Sequence, residues 1–299
     1  MIKTRVCLDQ FFAETYLPWI RIRKRSWELD ERLERTHISP DFGHKRLSEI
    51  TRSDIEKWLG GLVGRGYTPA TCNRVLAVLK TMFSHAVERG AIAVSPAKDV
   101  RPLNNPGRRE RFLSKSEGRE LLRRLAADAC PKAKIIQLLI LTGARKSEIM
   151  RARWEDLDPE NHVLNVPLAK SGKLRRIILS DEALAVFAAI RPDPDSPWIF
   201  PGRDKNRPLS DIYDYWRGIR HELGLGDARI HDLRHTFASV LVNLGHTLYE
   251  VQQLLGHASP QTTMRYAHLA NNTLFRATNR ISEAFGLCEE KGKEISLSV

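Results

Sequence analysis

Cysteine is scarce in this chain. It has four, Cys7, Cys72, Cys130 and Cys288, in 299 residues, and no C-x-x-C pair. That argues against a zinc site or a disulfide framework and fits a reducing compartment, with thiols that are buried or idle. Long apolar runs are missing too. The longest, Ile135 to Leu141, is broken by Gln137 and is far short of the roughly 20 residues that a membrane-spanning helix needs. The opening Met1-Ile2-Lys3-Thr4-Arg5 carries no apolar export region. No basic amphipathic stretch has the Trp/Phe/Leu face of a membrane-surface helix, and no internal repeat or low-complexity segment is visible. Acidic residues are the minority charge: 36 Asp and Glu stand against 48 Lys and Arg, a formal net charge of +12. The expected partner is a polyanion, nucleic acid before membrane, and the expected location is the cytoplasm.

The length suits about two domains, and turn chemistry divides them. Residues 1–100 read as helical. Leu8, Phe11, Phe12 and Leu17 begin an apolar face that Pro18 interrupts, Ser53 is the expected N-cap of a second helix, and Thr68-Pro69 opens a third that Gly90 ends. Residues 101–111 read as a linker: Pro102, Pro106 and Gly107 precede Arg108-Arg109-Glu110-Arg111. A second domain spans 112–285, with a tail at 286–299. Ser114 to Glu117 is an S-x-x-E capping box, and Ile135 to Leu141 a buried helix ending at Gly143. Val163–Leu168 and Leu174–Leu179 read as strands joined at Ser171-Gly172, and helices follow from Asp181. The expected fold is mainly α, with a small antiparallel β-sheet inside an α+β second domain.

Chemistry concentrates in that domain. His231 and Arg234 stand three apart near the start of a helix whose buried face is expected from Leu233, Phe237, Val240, Leu241 and Leu244. Arg145 directly follows an apolar helix, and its planar fork suits two phosphate oxygens; Glu148, three residues on, is placed to orient it. Lys170 sits at a hairpin tip that can enter a DNA groove, and Lys173 competes with it for any catalytic role. Gly256 fits a helix C-terminus just before His257. Ser259-Pro260 opens a short helix that carries Tyr266 about two turns in. Singly, each has a structural reading: a solvated H-x-x-R, an ion pair with Glu148, an exposed turn lysine, a packed tyrosine. Jointly they supply every group needed to cut and rejoin a DNA strand without a metal.

The segments T-G-A-R-K-S-E-I (Thr142 to Ile149), K-S-G-K (Lys170 to Lys173), H-D-L-R-H-T-F-A (His231 to Ala238), L-L-G-H (Leu254 to His257) and T-T-M-R-Y (Thr262 to Tyr266) resemble the tyrosine recombinases, the phage-integrase family. The likeness covers residues of about 112 to 275, and the first hundred residues look like that family's SAM-like core-binding domain. The resemblance implies that Tyr266 attacks a backbone phosphate to give a 3′-phosphotyrosine and a free 5′-hydroxyl. Arg145 and Arg234 would clamp the non-bridging oxygens, and Lys170 would protonate the departing 5′-oxygen. His231 would assist proton transfer at Tyr266, and His257 would donate a hydrogen bond to the phosphate. No cofactor, metal or ATP is implied.

Double-stranded DNA is the implied partner, bound by a homotetramer and with an accessory DNA-bending or directionality protein as a further candidate; a nucleoid-associated location follows. Outside the catalytic set, Arg21, Arg23, Lys24, Arg25, Asn73, Arg74 and Lys173 are the candidate DNA contacts. Core-binding-type helices begin almost at Met1, so no arm-binding domain is expected ahead of them unless the chain starts late. Leu274, Phe275, Ile281, Ala284 and Phe285 give the tail an apolar character, for docking on a neighbouring subunit or packing on its own domain. Integration or excision of a mobile element is the leading reading. A Xer-like recombinase that resolves chromosome dimers, a type IB topoisomerase-like relaxing enzyme and a DNA-binding protein without catalysis are the alternatives.

Overall fold

The computed structural model describes residues 6–105, 111–167 and 175–270, with Thr278 and Ile281 beyond them. The chain divides into two compact units, residues 1–108 and 109–299, each with a core of its own.

The first unit is helical: α1 (Leu8–Phe11), α2 (Leu17–Arg23), α3 (Trp27–Leu33), α4 (Ser39–Phe42), α5 (Arg52–Gly64) and α6 (Pro69–Glu88). Its core is the apolar stripe of α6, Val75, Leu76, Leu79, Met82, Phe83 and Ala86, packed against Leu8, Phe11, Ile38, Phe42, Ile55 and Trp58. Two expectations are corrected here. Pro18 does not interrupt the first helix. A π-helical turn at Phe12–Tyr16 leads into it, and Leu17 N–H reaches back to Phe12 O. The widened turn absorbs the ring that would clash with a carbonyl in a regular helix interior. The cap of α5 is Thr51 rather than Ser53: its hydroxyl accepts from Asp54 N–H at 3.2 Å while Asp54 accepts from Thr51 N–H at 2.9 Å. Thr68 caps α6 as its Thr-Pro signature suggests.

Glu34 is buried in this core, and burial, followed by its hydrogen bond to the Asp9 carboxyl, pushes its pKa up to about 7. Folding therefore favours the protonated acid. The stability this confers is complete below the ordinary glutamate range and is lost as pH rises through about 7. Glu34→Gln keeps a donor towards Asp9 and removes the titration. It is expected to raise the melting temperature at pH 8 but not at pH 5, by a free energy of up to about 3 kcal/mol. Equal shifts at the two pH values would refute the linkage.

The second unit is built around α8 (Pro131–Thr142), whose Ile135, Ile136, Leu138 and Leu139 are buried on nearly all sides. The chain reaches α8 through α7 (Lys115–Ala126), closed at its start by the reciprocal Ser114–Glu117 box. Gly143 ends α8 with φ 62°, the left-handed conformation that glycine adopts without a Cβ penalty. The short α9 (Lys146–Met150) follows, then an antiparallel sheet in the order β1 (Leu157–Asp158), β2 (Val163–Val166), β3 (Arg175–Ile178), with Val163 opposite Ile178. The strand β1, only two residues long, carried no sequence pattern. The expected turn Ser171-Gly172, with Lys170, Lys173, Leu168 and Leu174, lies outside the described residues.

Helices complete the unit: α10 (Asp181–Ala188), α11 (Tyr213–Glu222), α12 (Ile230–Leu244), α13 (Leu248–Leu255) and α14 (Pro260–Thr263), continued by a 3-10 segment at Met264–Ala270. The buried face of α12 is rotated from the expected one. Leu233, Ala238, Ser239 and Val242 face inward, while Val240 and Leu244 are exposed. Leu233 joins the core around α8, and Ala238 and Val242 pack with Val251, Leu255 and Tyr266. No helix among the described residues is long and apolar enough to cross a membrane. Of the expected tail residues, Ile281 is exposed; Leu274, Phe275, Ala284 and Phe285 lie outside the described residues.

Candidate active site

The carbonyl end of α13 organises the site. Helix ends leave their last carbonyls without intrahelical partners and carry a partial negative charge. Here three consecutive ones accept from three arginines: Leu254 O from Arg175 Nη2 at 3.3 Å, Leu255 O from Arg234 Nη2 at 2.7 Å, and Gly256 O from Arg145 Nη2 at 3.4 Å. Each arginine comes from a different element. Arg145 is the N-cap residue of α9, Arg175 opens β3, and Arg234 lies in the first turns of α12.

One carboxylate serves this cluster. Glu148 accepts from Arg145 N–H and from Arg145 Nη1, both at 2.8 Å, and pairs with Arg175 Nη1 through both oxygens. Burial alone would raise the Glu148 pKa; Arg175 and then Arg145 outweigh it and hold the carboxyl below its ordinary value. Arg234 has no such counterpart. Only 4% exposed, it donates Nη1 to Gly143 O and Nη2 to Leu255 O, both at 2.7 Å, and among the described residues no carboxylate lies within ion-pair distance of it. Burial first, then Arg175 and Arg145, push its pKa down to about 9. It is charged at neutral pH, so the pocket holds a buried cation that its surroundings do not neutralise.

His257 follows Gly256 and meets Thr263 Oγ1 through Nδ1 at 2.8 Å. Burial, then Arg234, Arg145 and Arg175, lower its pKa to about 4. The ring is therefore neutral at pH 7. A neutral ring that accepts the Thr263 hydroxyl at Nδ1 carries its proton on Nε2, where it can be donated to an anion. His231, in the first turn of α12, also has a lowered pKa, from burial and then Arg234.

Tyr266 is 6% exposed, packed with Ala238, Val242, Val251 and Leu255. Its hydroxyl meets Nδ1 of His235 at 2.5 Å, and the His231 ring stands edge-on to His235 with centroids 4.9 Å apart. The structure thus brings together Arg145, His231, Arg234, His257 and Tyr266; Lys170 and Lys173 fall outside the described residues. It also adds two residues that had no assigned role. His235 lies one turn after His231, on the same helical face. Arg175 is an inward position of β3, in a strand whose residues alternate buried and exposed; a charge at such a position was the available signal.

The candidate contacts of the first unit are arranged differently. Arg21, Arg23, Arg25 and Arg74 are exposed, with Arg21 over the Trp27 ring and Arg23 over the Trp19 ring. Lys24 is paired with buried Asp30 at 2.5 Å. The Asn73 amide binds the Leu103 backbone at two points, donating to O at 2.8 Å and accepting from N–H at 2.7 Å.

The second unit is thus mainly helical and gathers three arginines and three histidines near a buried tyrosine. Residues 111–273 match the phage integrase family, and residues 10–63 match the phage integrase N-terminal SAM-like domain. The chain belongs to the phage integrase family and is a tyrosine-type site-specific recombinase. It is 29% identical to a tyrosine recombinase XerC of Herpetosiphon aurantiacus, over 75% of this chain and 78% of that protein. It is 27% identical to the integrase of Salmonella phage P22, over 93% of this chain and 81% of that protein. Its fold matches the Tn1549 transposon integrase, solved in complex with a circular intermediate DNA, with a TM-score of 0.74 and 22% identity over 89% of this chain and 98% of that one.

Proposed function

We propose that this recombinase cleaves and rejoins duplex DNA through a 3′-phosphotyrosine at Tyr266, for integration or excision of a mobile element. The observation that carries the reading is the buried, carboxylate-free Arg234 beside a tyrosine whose hydroxyl is already bound to an imidazole. A phosphodiester supplies the missing negative charge. Arg234 and Arg145 hold its non-bridging oxygens and stabilise the charge that grows in the transition state. Tyr266 Oη forms the new bond to phosphorus and the P–O5′ bond breaks. The phenol proton passes to imidazole: His235 is its direct partner and His231 stands behind. Lys170 protonates the leaving 5′-oxygen, and His257 donates Nε2–H to the phosphate. In the reverse step the 5′-hydroxyl attacks the phosphotyrosine and the proton returns to Tyr266. The phosphodiester energy is kept in the protein–DNA link, so neither ATP nor a metal is required.

The working assembly proposed is a homotetramer on DNA, with an accessory bending or directionality protein as a further partner and the nucleoid as its location. Arg21, Arg23, Arg25 and Arg74 are proposed as additional DNA contacts, with Lys173 in the catalytic domain; Lys24 and Asn73 would need to leave their present partners to join them. The likeness to XerC proteins supports a second reading, resolution of chromosome dimers, by the same chemistry at a different site.

The test is covalent trapping. Nicked, linear and supercoiled DNA carrying candidate sites is incubated with the protein in a chelator, quenched in denaturant and examined for an adduct, whose peptide is then mapped. An adduct at one sequence, on the peptide containing Tyr266, is the expected result. A strict divalent-metal requirement would refute the mechanism, and sequence-independent adducts with supercoil relaxation would favour a topoisomerase-like enzyme.

A further inference from the structure

A groove of about 490 Å³ opens from the reaction centre of the second unit, a volume within the roughly 300–1,000 Å³ of sites that take nucleotide-sized ligands. His231 and Arg234 line one part of it, and Lys146, Arg220 and Arg229 line the remainder. Its floor is apolar, from Leu139, Ala144, Ile212 and Ile230, and Tyr213, 56% exposed, stands on its wall. Four cationic side chains, Lys146, Arg220, Arg229 and Arg234, face the groove against one carboxylate among its lining residues, Asp227.

These cations are held by the fold. Arg220 is in the last turn of α11, and its Nη1 donates to Ala228 O at 3.2 Å, which aims the guanidinium and leaves its other N–H groups for a ligand. Arg229 is the N-cap residue of α12, two positions before His231. Its backbone N–H is fixed by Asp232 at 2.8 Å while the residue is exposed. Lys146 follows Arg145 directly and pairs with Asp211 at 3.1 Å, both side chains about half exposed, a contact weak enough to exchange for phosphate. Basic groups above an apolar floor, with an aromatic wall, suit a sugar-phosphate strand.

We propose that this groove is a second phosphate subsite, in which Lys146, Arg220 and Arg229 hold the backbone phosphates adjoining the scissile one and so set which phosphate reaches Arg234 and Tyr266. The inference rests on the recombinase reading above, and its test does not require the target sequence. Binding of the full chain to a random-sequence duplex is measured by fluorescence anisotropy across a potassium chloride series. The proteins compared are wild type, Arg229→Gln, Arg220→Gln, the double variant Lys146→Gln/Arg229→Gln, and Arg191→Gln as an exposed arginine outside the groove. Each lost phosphate contact is expected to reduce the slope of log K against log salt by about 0.9, so the double variant loses about twice what a single one does. Arg191→Gln keeps the wild-type slope. Wild-type slopes in the groove variants overturn the subsite while leaving the recombinase reading intact, and so does an equal loss in Arg191→Gln. A wild-type protein with no salt-dependent affinity for duplex overturns both.

Discussion

Tyr266→Phe is expected to lower covalent attachment to DNA by at least about 10³-fold while leaving duplex affinity within about twofold. The substitution removes one oxygen. The ring is 6% exposed and packed against Ala238, Val242, Val251 and Leu255, contacts that phenylalanine keeps. The loss is the hydrogen bond to His235 Nδ1, at 2.5 Å, worth about 1 kcal/mol of stability. The 3-10 segment that carries the residue should therefore remain in place, and so should the arginine cluster, which is anchored on α13 and Glu148 rather than on Tyr266. Binding and chemistry separate cleanly in this variant. Adduct yield on a nicked duplex, read beside anisotropy on the same duplex, decides the matter; an adduct that survives would place the nucleophile elsewhere.

The arginine cluster is the reason binding is expected to persist. Arg145 and Arg175 share one buried carboxylate, Glu148, while Arg234 has none within ion-pair distance among the described residues. Glu148 and the α13 carbonyls suffice to hold the guanidiniums in place but not to neutralise them. The depressed pKa values of Arg234, about 9, and of His257, about 4, express one condition: a desolvated pocket whose cations repel further protonation. An arriving phosphodiester relieves that repulsion, so its affinity draws on electrostatic energy already stored in the free protein.

Much of this was legible in the chain, for identifiable reasons. The proposed catalytic residues lie inside short contiguous motifs, and the features that place them are local. Gly143 and Gly256 end helices in the left-handed region, and Ser114 with Glu117 closes a capping box. Such features depend on a few neighbouring residues. What escaped reading depends on tertiary partners. His235 sits inside the H-D-L-R-H motif, but only the fold brings Tyr266 to it. Arg175 holds an inward position of β3, and only the fold brings Glu148 and Leu254 O to it. The rotated face of α12 reflects two sets of tertiary partners: Leu233 joins the core around α8, while Ala238 and Val242 pack with Val251, Leu255 and Tyr266. The π-helical turn ahead of Pro18, with Phe12 and Tyr16 buried, had no sequence pattern of its own.

Gly256→Ala provides the sharpest test of how the α13 terminus organises the arginines, because Gly245 supplies an internal control. Both glycines end a helix with positive φ, 62° at Gly256 and 99° at Gly245. Alanine in that region costs about 1–2 kcal/mol at either position. They differ in what a methyl group would meet. At Gly245 there is nothing within 4 Å, whereas at Gly256 the new carbon would lie 2.3 Å from Arg175 Nε. Arg175 cannot swing aside cheaply. It is 8% exposed and tied at its far end to Glu148 and Leu254 O. Overpacking of that kind adds about 1–3 kcal/mol, and relief of the clash must move Arg175 or the carbonyls that position Arg145 and Arg234. Displacement of about 1 Å in a catalytic clamp costs about 10²-fold in rate. Gly256→Ala is therefore expected to lose roughly twice the stability of Gly245→Ala in denaturant unfolding, and about 10²-fold in adduct formation where Gly245→Ala loses little. Matching losses in the two variants would mean that the helix terminus serves only as a cap, and that the arginines are positioned by other contacts.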